Sequence, residues 1–589
     1  MATKYNEAAD KEANYAAGDS PLRTSDSPHD VQRGVVTDNA DNLHRRLSNR
    51  QIQLLAIGGS IGTALFVSIG NGLAAGGPGS LFIAYALYSI VVACVNNCVS
   101  EMIILQPVSG GFIRLARHWY DDALGFMVGW NFFIYEALLI PFEITAIGLV
   151  LSFWRDDIPV WAVCIACIIL YGYDPFPVAP LGRVGSAFYA INVLAVRAFG
   201  EAEFWLSGGK VILIFMLFFF TFITMVGGNP DNDAYGFRYW KNPGAFAENS
   251  AKSSTGSLAR FEGFLSALWS ASFTVVGPEY IAMAAAEVKR PRVYVKTAFK
   301  TVYWRFGLFF ILGALCVGIV VPYNDPQLQG VFLGTAGGGG TAAASPYVIA
   351  MSNLGISTLP SVVNALLITS IFSAGNTYTF CATRSLYSMA LEGHAPKIFR
   401  KTTRNGVPLY AFAVVMAFPF LSFLQVSDNS SVVITWLVSL ITAGALINYF
   451  VIALTYLNFH KACQVQGLDR RTLPYYAWFQ PGCAYVVIVV EIVISWSVES
   501  FFQNYTMQIL APIMYIGWKL VKRTKKLKPS EVDLVWERPI VDAYEESFLS
   551  PPSGFWLEMG QLIGIKRHIK DDERRGSIQR RGSTINPFK

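Results

Sequence analysis

Apolar runs of bilayer-spanning length recur along this 589-residue chain, from about Leu54 to about Val521, and they limit its possible folds more than any other feature. A helix of about 20 apolar residues is long enough to cross a membrane. With 53% hydrophobic and only 15% charged residues, the chain is too apolar for a soluble protein of this length. Its sequence lacks the alternating pattern of a membrane β-barrel. It therefore predicts an all-α polytopic membrane protein with about 12 transmembrane helices.

Lys and Arg cluster on alternate loops between the predicted spans, and this bias orients a membrane protein because cytoplasmic loops are rich in these residues. The loops around 114–117 and 289–300 contain many cations, whereas those around 71–80 and 323–345 contain almost none. We therefore expect both termini to be cytoplasmic. A short helix outside the membrane is expected within 345–359. The predicted spans are approximately 52–73, 79–105, 123–153, 159–196, 204–226, 262–285, 302–322, 360–390, 408–425, 431–457, 477–496 and 505–521.

Two polar tails flank the predicted transmembrane domain, residues 51–522. Residues 1–50 are rich in Ser, Asp, Asn and Ala and lack the apolar segment of a cleavable signal peptide, so we interpret them as a disordered cytoplasmic tail. Residues 523–589 form a C-terminal cytoplasmic tail that also looks short and disordered. Basic-x-Ser patterns suited to a basophilic kinase occur at 45–48, 574–577 and 580–583.

The fourth predicted span is interrupted. Its two apolar runs, 161–171 and 190–196, are each too short to cross a bilayer, and the residues between them include three prolines, Asp174 and Arg183. Unsatisfied backbone cannot face lipid. Because joining the runs directly would give one span of ordinary length, we suspect that residues 172–189 come from a retained intron and are absent from the working protein. A re-entrant loop is the alternative.

Two other predicted spans carry residues that weaken a helix near its middle. Span 1 contains GGSIGT (58–63), and each glycine inside a helix costs about 1 kcal/mol relative to alanine. Span 6 contains GPE (277–279), where the proline removes a backbone donor. Interruptions five spans apart indicate an inverted-repeat transporter with half-helix ends at the midplane. Amides after Ser60 would bind a carboxylate, and carbonyls before Gly277 would bind an ammonium. Because an α-amino acid carries both groups on one carbon, it is the expected ligand. Close helix packing is the alternative for GGSIGT.

Three segments together resemble a known family: GGSIGTALF (58–66), SFTVVGPEY with AAAEVKRPR (272–292), and SAGNTYTFCATRSLYSMALEGHAPKIF (373–399). They are similar to the amino acid, polyamine and organocation permeases, specifically the fungal amino-acid permease branch. The resemblance covers the chain from about Leu47 to Lys522. It implies the fold of the bacterial leucine transporter, two inverted five-helix repeats followed by two further helices. The dicarboxylic amino-acid permeases look most similar in PFEITAIGLVLSFW (141–154), NDAYGFRYW (232–240) and VKTAFKTVYWRFG (295–307).

The resemblance also implies a set of site residues. Phe273 matches the aromatic lid over the substrate, and Pro278 with Glu279 would brace the unwound segment of span 6. Packing against lipid or core is the alternative for Phe273. Asn376 and Thr377 are polar groups that would face the side-chain pocket, and hydrogen bonding between helices is their alternative. The expected substrate-binding residues are Gly59, Ser60, Gly62, Thr63, Phe273, Gly277, Asn376 and Thr377.

Ionisable residues inside the predicted spans are candidates for function, because burying a charge in a membrane is costly. Span 3 carries Glu136 and Glu143 on nearly the same helix face. We expect Glu143 to carry a coupling proton, with a packing hydrogen bond as the alternative, and Glu136 to lie nearer a wet surface. Lys210 in span 5 resembles the lysine that replaces a sodium ion in many relatives, and snorkelling to the span end is its alternative. A proton is thus the expected coupling ion, without any cofactor.

These features predict a plasma-membrane proton symporter that imports acidic amino acids, glutamate and aspartate, by alternating access. A broad neutral amino-acid permease and an amino-acid receptor with little transport are the alternatives. An enzyme is disfavoured, because the sequence has no nucleotide loop or metal cluster, and the CxxC pattern of Cys164 and Cys167 places two small residues on one helix face. The expected partners are the amino-acid substrate, the lipid bilayer, a kinase, and a ubiquitin-ligase adaptor acting at Lys4 or Lys11. The net charge of +6 reflects loop topology and does not indicate nucleic acid.

Overall fold

A computed structural model describes residues 43, 45–155, 157–172, 196–333, 345–403, 406–426, 430–495, 501–548 and 551–562. Within these residues the chain is helical, with an isolated β-bridge between Leu47 and Val288. The suspected insert at 172–189 lies, apart from Gly172, outside the described residues. The same is true of residues 1–42 and of the two basic-x-Ser patterns near the C-terminus.

The α-helices follow one another along the chain, joined by turns and by short 3₁₀ or π stretches. In chain order they are α1 (Asn49–Ser60), α2 (Ile69–Leu105), α3 (Phe112–Trp119), α4 (Asp122–Leu151), α5 (Val160–Gly172), α6 (Val196–Met225), α7 (Arg238–Lys241), α8 (Gly256–Thr274), α9 (Pro278–Ala284), α10 (Pro291–Arg305), α11 (Leu312–Val320), α12 (Pro326–Phe332), α13 (Pro346–Asn353), α14 (Leu359–Leu391), α15 (Leu409–Val415), α16 (Ser430–Val465), α17 (Gly482–Ser495), α18 (Phe501–Lys522), α19 (Arg538–Glu546) and α20 (Phe555–Leu562).

Seven helical stretches within the described residues are long and apolar enough to cross a membrane, which confirms the predicted class of polytopic membrane protein. The shorter apolar helices α5 and α17 occupy the positions of predicted spans 4 and 11, and α18 that of the last span. Predicted spans 1 and 6 are each divided between two helical pieces, and the short helix expected within 345–359 is α13. The seven stretches are Ala64–Leu105, Asp122–Leu151, Glu203–Met225, Pro291–Val320, Leu359–Leu391, Leu409–Val426 and Trp436–Val465.

Span 1 runs into span 2 through a sharp bend inside α2. Gly77 at the bend has φ 79° and ψ 171°, and Pro78 follows it. A side chain would be strained at that φ and would also lie 2.7 Å from the backbone nitrogen of Ala247. Glycine at this position therefore permits both the bend and a close approach of the backbone from the 226–255 loop.

The long helix α4 lies at the centre of the bundle, packed against α14 and α16, while α1 packs against α6. The amide of Asn131 on α4 donates to Gly444 O at 2.8 Å and to Asn448 Oδ1 at 2.9 Å, which fixes α4 against α16. This packing places the glutamates of span 3 beside the middle of α14, and it places Lys210 of α6 beside α1.

The loops rich in Lys and Arg meet at one end of the bundle, which we call the basic end: residues 106–121, 285–290, 392–403 and 466–481. Buried ion pairs hold this end together. Arg470 donates to both carboxylate oxygens of Glu101 at 2.7 Å. Arg384 Nε donates to Glu287 at 2.8 Å.

The C-terminal tail up to residue 562 is largely folded against the basic end, which corrects the expectation of a disordered tail. The ring of Trp536 stacks on His118 with centroids 3.9 Å apart. The carboxylate of Glu558 accepts the backbone amide of Arg50 at 2.8 Å, at the start of α1. The tail therefore contacts both span 1 and the α3 region.

Candidate functional site

The two predicted helix breaks are present, and they lie side by side. Helix α1 ends at Ser60, and Ile61 is extended. Helix α8 ends at Thr274, and α9 begins at Pro278. Between them Gly277 has φ 152°, and a Cβ built on it would lie only 3.5 Å from Ser60 Cβ. Backbone groups of both breaks are therefore available around one small region.

Span 3 contributes a carboxylate to the first break. Glu143 is 1% exposed and accepts a hydrogen bond from the hydroxyl of Thr63. A Cβ on Gly62 would lie 2.7 Å from Glu143 Oε1, so glycine at this position lets the carboxylate approach the unwound backbone. A change in the charge of Glu143 therefore acts directly on span 1.

Lys210 supports the same break from the other side. The lysine is 1% exposed and donates to the carbonyl of Gly58 at 2.6 Å, so it does not snorkel to the span end. Its charge interacts with those of Glu203 and Glu143. The Lys210 ammonium thus donates a hydrogen bond to one of the carbonyl oxygens just before the break in span 1.

Glu203 is a component that the sequence analysis missed. It is fully buried on α6, and Oε1 accepts from Ser207 at 2.9 Å and from Ser373 at 2.5 Å. A Cβ on Gly58 would lie 2.0 Å from that same oxygen. The predicted start of span 5 at residue 204 excluded this glutamate, although it stands seven residues before Lys210 and hence on nearly the same helix face.

Glu279 closes the second break. Its Oε2 accepts the backbone amide of Gly277 at 3.1 Å, and its Oε1 accepts the hydroxyl of Tyr449 at 3.0 Å. Pro278 is the first residue of α9, where its missing N–H costs no helical hydrogen bond. These contacts connect the break to Tyr449 on α16, and the bracing role expected for Pro278 and Glu279 stays a prediction.

Tyrosines surround the two breaks, and sequence reasoning did not single them out. The hydroxyl of Tyr378 donates to Gly59 O at 3.1 Å. The ring of Tyr280 packs over Gly59 so closely that a Cβ there would lie 2.7 Å from it. The centroids of these two rings are 6.0 Å apart, and Tyr135 OH lies 3.4 Å from Tyr280 OH. Tyr280 belongs to the GPEY motif, which was the available signal.

The remaining predicted residues are buried near the breaks, and two of their hydroxyls bond within their own helices. Phe273 is 6% exposed and packs edge-on against Phe142, with centroids 5.3 Å apart. Ser60 Oγ donates to Ala56 O at 2.8 Å, and Thr377 Oγ1 to Ser373 O at 3.3 Å. Asn376 is buried on the same helix as Thr377. The roles predicted for these residues stay predictions.

Glu136 differs from its expected position. It was expected near a wet surface, but it is completely buried, because α4 is covered by α14 and α16 at this level. Its charge interacts with that of Glu279. Among the described residues, neither of its carboxylate oxygens has a hydrogen-bond partner.

Helices broken at adjacent points, with ionisable side chains holding the breaks, define a membrane transport protein rather than an enzyme. Comparison with known proteins narrows this class. The family described as "Amino acid permease" matches residues 51–531. The chain belongs to this amino acid permease family.

Individual relatives share most of their length with this chain. The general amino acid permease AGP2 of Saccharomyces cerevisiae is 41% identical over 85% of this chain and 83% of its own length. The proline-specific permease of Emericella nidulans is 36% identical over 87% of this chain and 92% of its own length. The dicarboxylic amino acid permease of S. cerevisiae is 34% identical over 91% of this chain and 87% of its own length. Among solved structures, a manganese transporter of Eremococcus coleocola aligns over 84% of this chain and 95% of its own chain, with 11% sequence identity and a TM-score of 0.48. This similarity is too distant to bear on the substrate.

Proposed function

We propose that this protein imports amino acids across the plasma membrane, with proton coupling and with both termini in the cytoplasm. The observation that carries the proposal is the contact between Glu143 and Thr63 at the break of span 1. A carboxylate at this place is both a proton acceptor and a ligand of the segment that must move. The alternation of Lys- and Arg-rich loops supports the orientation.

Coupling follows from the charges around span 1. When Glu143 is ionised, it accepts the Thr63 hydroxyl and interacts with the Lys210 ammonium. A proton on Glu143 removes that negative charge and weakens the interaction with Lys210. Lys210 donates to Gly58 O rather than to Glu143, so we expect it to serve as a fixed cation in place of a metal ion. Protonation is thereby linked to the position of one half of span 1.

The substrate range that the geometry supports best is broad and favours side chains without a negative charge. An acidic side chain needs a cationic partner, but Lys210 is already engaged with Gly58 and faces two glutamates. Arg384 is paired with Glu287 at the basic end. The general amino acid permease AGP2 is 41% identical to this chain. Preference for glutamate and aspartate stays a prediction, supported by the motif resemblance and by the 34% identical dicarboxylic permease.

Regulation through the tails is part of the proposal. Ser48 of the 45–48 pattern directly precedes α1, and its backbone amide donates to Gln51 Oε1 at 2.9 Å, so this segment is tied to the helix start. We therefore place kinase action at Ser577 and Ser583, and action of a ubiquitin-ligase adaptor at Lys4 or Lys11, all of which lie outside the described residues.

Uptake of labelled leucine, proline and glutamate into permease-deficient cells, with and without a protonophore, tests this function. We expect protonophore-sensitive uptake of the neutral amino acids. Glu143→Gln should abolish uphill accumulation and leave exchange of preloaded substrate, whereas the control Glu491→Gln, at a buried carboxylate on α17, should keep both. Uphill accumulation by Glu143→Gln would show that Glu143 does not carry the coupling proton. Uptake of glutamate alone would restore the acidic preference.

A further inference from the structure

Glu136 is a buried carboxylate that the transport cycle described above does not use. It is 0% exposed, and neither oxygen has a hydrogen-bond partner among the described residues. A buried charge without a partner costs several kcal/mol, so natural proteins pair, protonate or employ such groups. Glu143 and Glu279, in contrast, both accept hydrogen bonds.

The position of Glu136 relates it to the two breaks. It stands seven residues before Glu143 on the continuous helix α4, on nearly the same face and about 10 Å nearer the basic end at 1.5 Å of rise per residue. Its charge interacts with Glu279 and with the hydroxyls of Tyr280 and Tyr378. Glu136 therefore lies near the tyrosines that line the breaks, on the side toward the basic end.

The charges in this region do not balance. Three buried carboxylates, Glu136, Glu143 and Glu279, surround the breaks, and Glu203 stands beside them. Lys210 is the cation that the structure places among these groups within the described residues, and its ammonium is engaged with Gly58 O. An added positive charge is therefore favoured near Glu136, and an added negative charge is opposed.

We propose that Glu136 is a specificity residue that receives the side-chain cation of a basic amino acid, such as lysine or ornithine. The proposal rests on the proposed function, because the α-carboxylate and α-ammonium would occupy the two breaks. A long side chain directed toward the basic end then brings its ammonium to Glu136. The rings of Tyr280 and Tyr378 offer aromatic faces along this path, which suits a cation.

Lysine and norleucine form the matched pair of probes, because norleucine has the same four side-chain carbons as lysine and lacks only the terminal ammonium. Each should be measured as an inhibitor of labelled leucine uptake. We expect lysine to inhibit at a concentration at least about tenfold lower than norleucine, since a charge-assisted hydrogen bond to a buried carboxylate discriminates by at least that factor. Equal inhibition, or stronger inhibition by norleucine, would overturn the proposal.

Glu136→Gln should abolish the advantage of lysine over norleucine as an inhibitor of whatever leucine uptake the variant retains, and the control Glu491→Gln should keep the advantage. If Glu136→Gln fails to reach the membrane, Glu136→Asp retains the charge and should still favour lysine. Loss of protonophore sensitivity for every substrate, with the lysine advantage intact, would make Glu136 a proton carrier and contradict the proposal. Absence of any amino-acid uptake by the wild-type protein would instead defeat the proposed function.

Discussion

Two groups of buried carboxylates stand in opposite situations in this molecule. At the basic end, Glu101 accepts hydrogen bonds from two guanidinium nitrogens of Arg470 at 2.7 Å and from the hydroxyl of Tyr456 at 2.9 Å. In the middle of the bundle, Glu136 has neither a cation nor a hydrogen bond within the described residues. Both residues are 0% exposed, so burial alone does not separate them.

Buried carboxylates therefore stabilise the fold at the basic end and serve function in the middle of the bundle. A fully paired carboxylate at the basic end holds loops together and has no free capacity for a proton or a ligand. Carboxylates that line the helix breaks without a dedicated cation are costly to keep, and such groups within membrane spans mark substrate and proton pathways.

The largest effect is expected from Lys210→Met. Removing the ammonium leaves the carbonyl of Gly58 without its donor and leaves Glu203 and Glu143 without a nearby cation. We expect uphill uptake to fall by about 1,000-fold, which corresponds to about 4 kcal/mol, in line with the cost of breaking a buried charged contact. Uptake is measured per transporter at the cell surface. Lys241→Met, at an exposed lysine on α7, is the matched control. Normal accumulation by Lys210→Met would contradict the fixed-cation role.

A second test removes a buried ion pair at the basic end. Arg470→Met should lower the free energy of unfolding by about 3–5 kcal/mol, because it leaves Glu101 buried and unpaired. The double variant Glu101→Gln/Arg470→Met should recover part of this loss. Thermal unfolding of the purified protein measures both. A loss of substrate affinity with unchanged unfolding temperature would show that this pair is functional, against the contrast drawn here.

Lowering the pH should destabilise the packing at the basic end. Burial alone would raise the pKa of Glu392, but hydrogen bonding with His118 and the charges of Arg114 and Arg117 hold that pKa well below its usual value. A carboxylate with a lowered pKa in the folded state contributes stability above its ordinary pKa of 4.5 and loses it as pH falls further. The unfolding temperature should drop below that pH, and less so in Glu392→Gln. The same acid sensitivity in both proteins would exclude this contribution.

The smallest effect concerns the folded part of the C-terminal tail. Glu558 accepts the backbone amides of Asn49 at 3.3 Å and Arg50 at 2.8 Å, in the manner of a capping side chain at the start of α1. Glu558→Ala should cost about 1 kcal/mol, as loss of a helix cap does. The exposed Glu531→Ala is the control. Equal unfolding temperatures for the two variants would show that the tail does not support span 1.

Sequence reasoning predicted the breaks because glycine and proline act through local backbone geometry. It also found Glu143 and Lys210, since an ionisable residue within an apolar run stands out. It missed Tyr280 and Tyr378 because aromatic residues make up 14% of the chain and do not stand out. The burial of Glu136 and the folded tail depend on contacts between residues far apart in the sequence, which no local pattern contains.

The most direct test of the central contrast compares Glu136→Gln with Glu101→Gln in the same membranes. Both replace a completely buried carboxylate by its neutral amide. We predict that Glu136→Gln changes the ratio of lysine to norleucine inhibition without lowering the unfolding temperature. Glu101→Gln should lower the unfolding temperature and leave that ratio unchanged. Loss of stability without a change in selectivity in both variants would contradict the account, because the unpartnered carboxylate would then be structural as well.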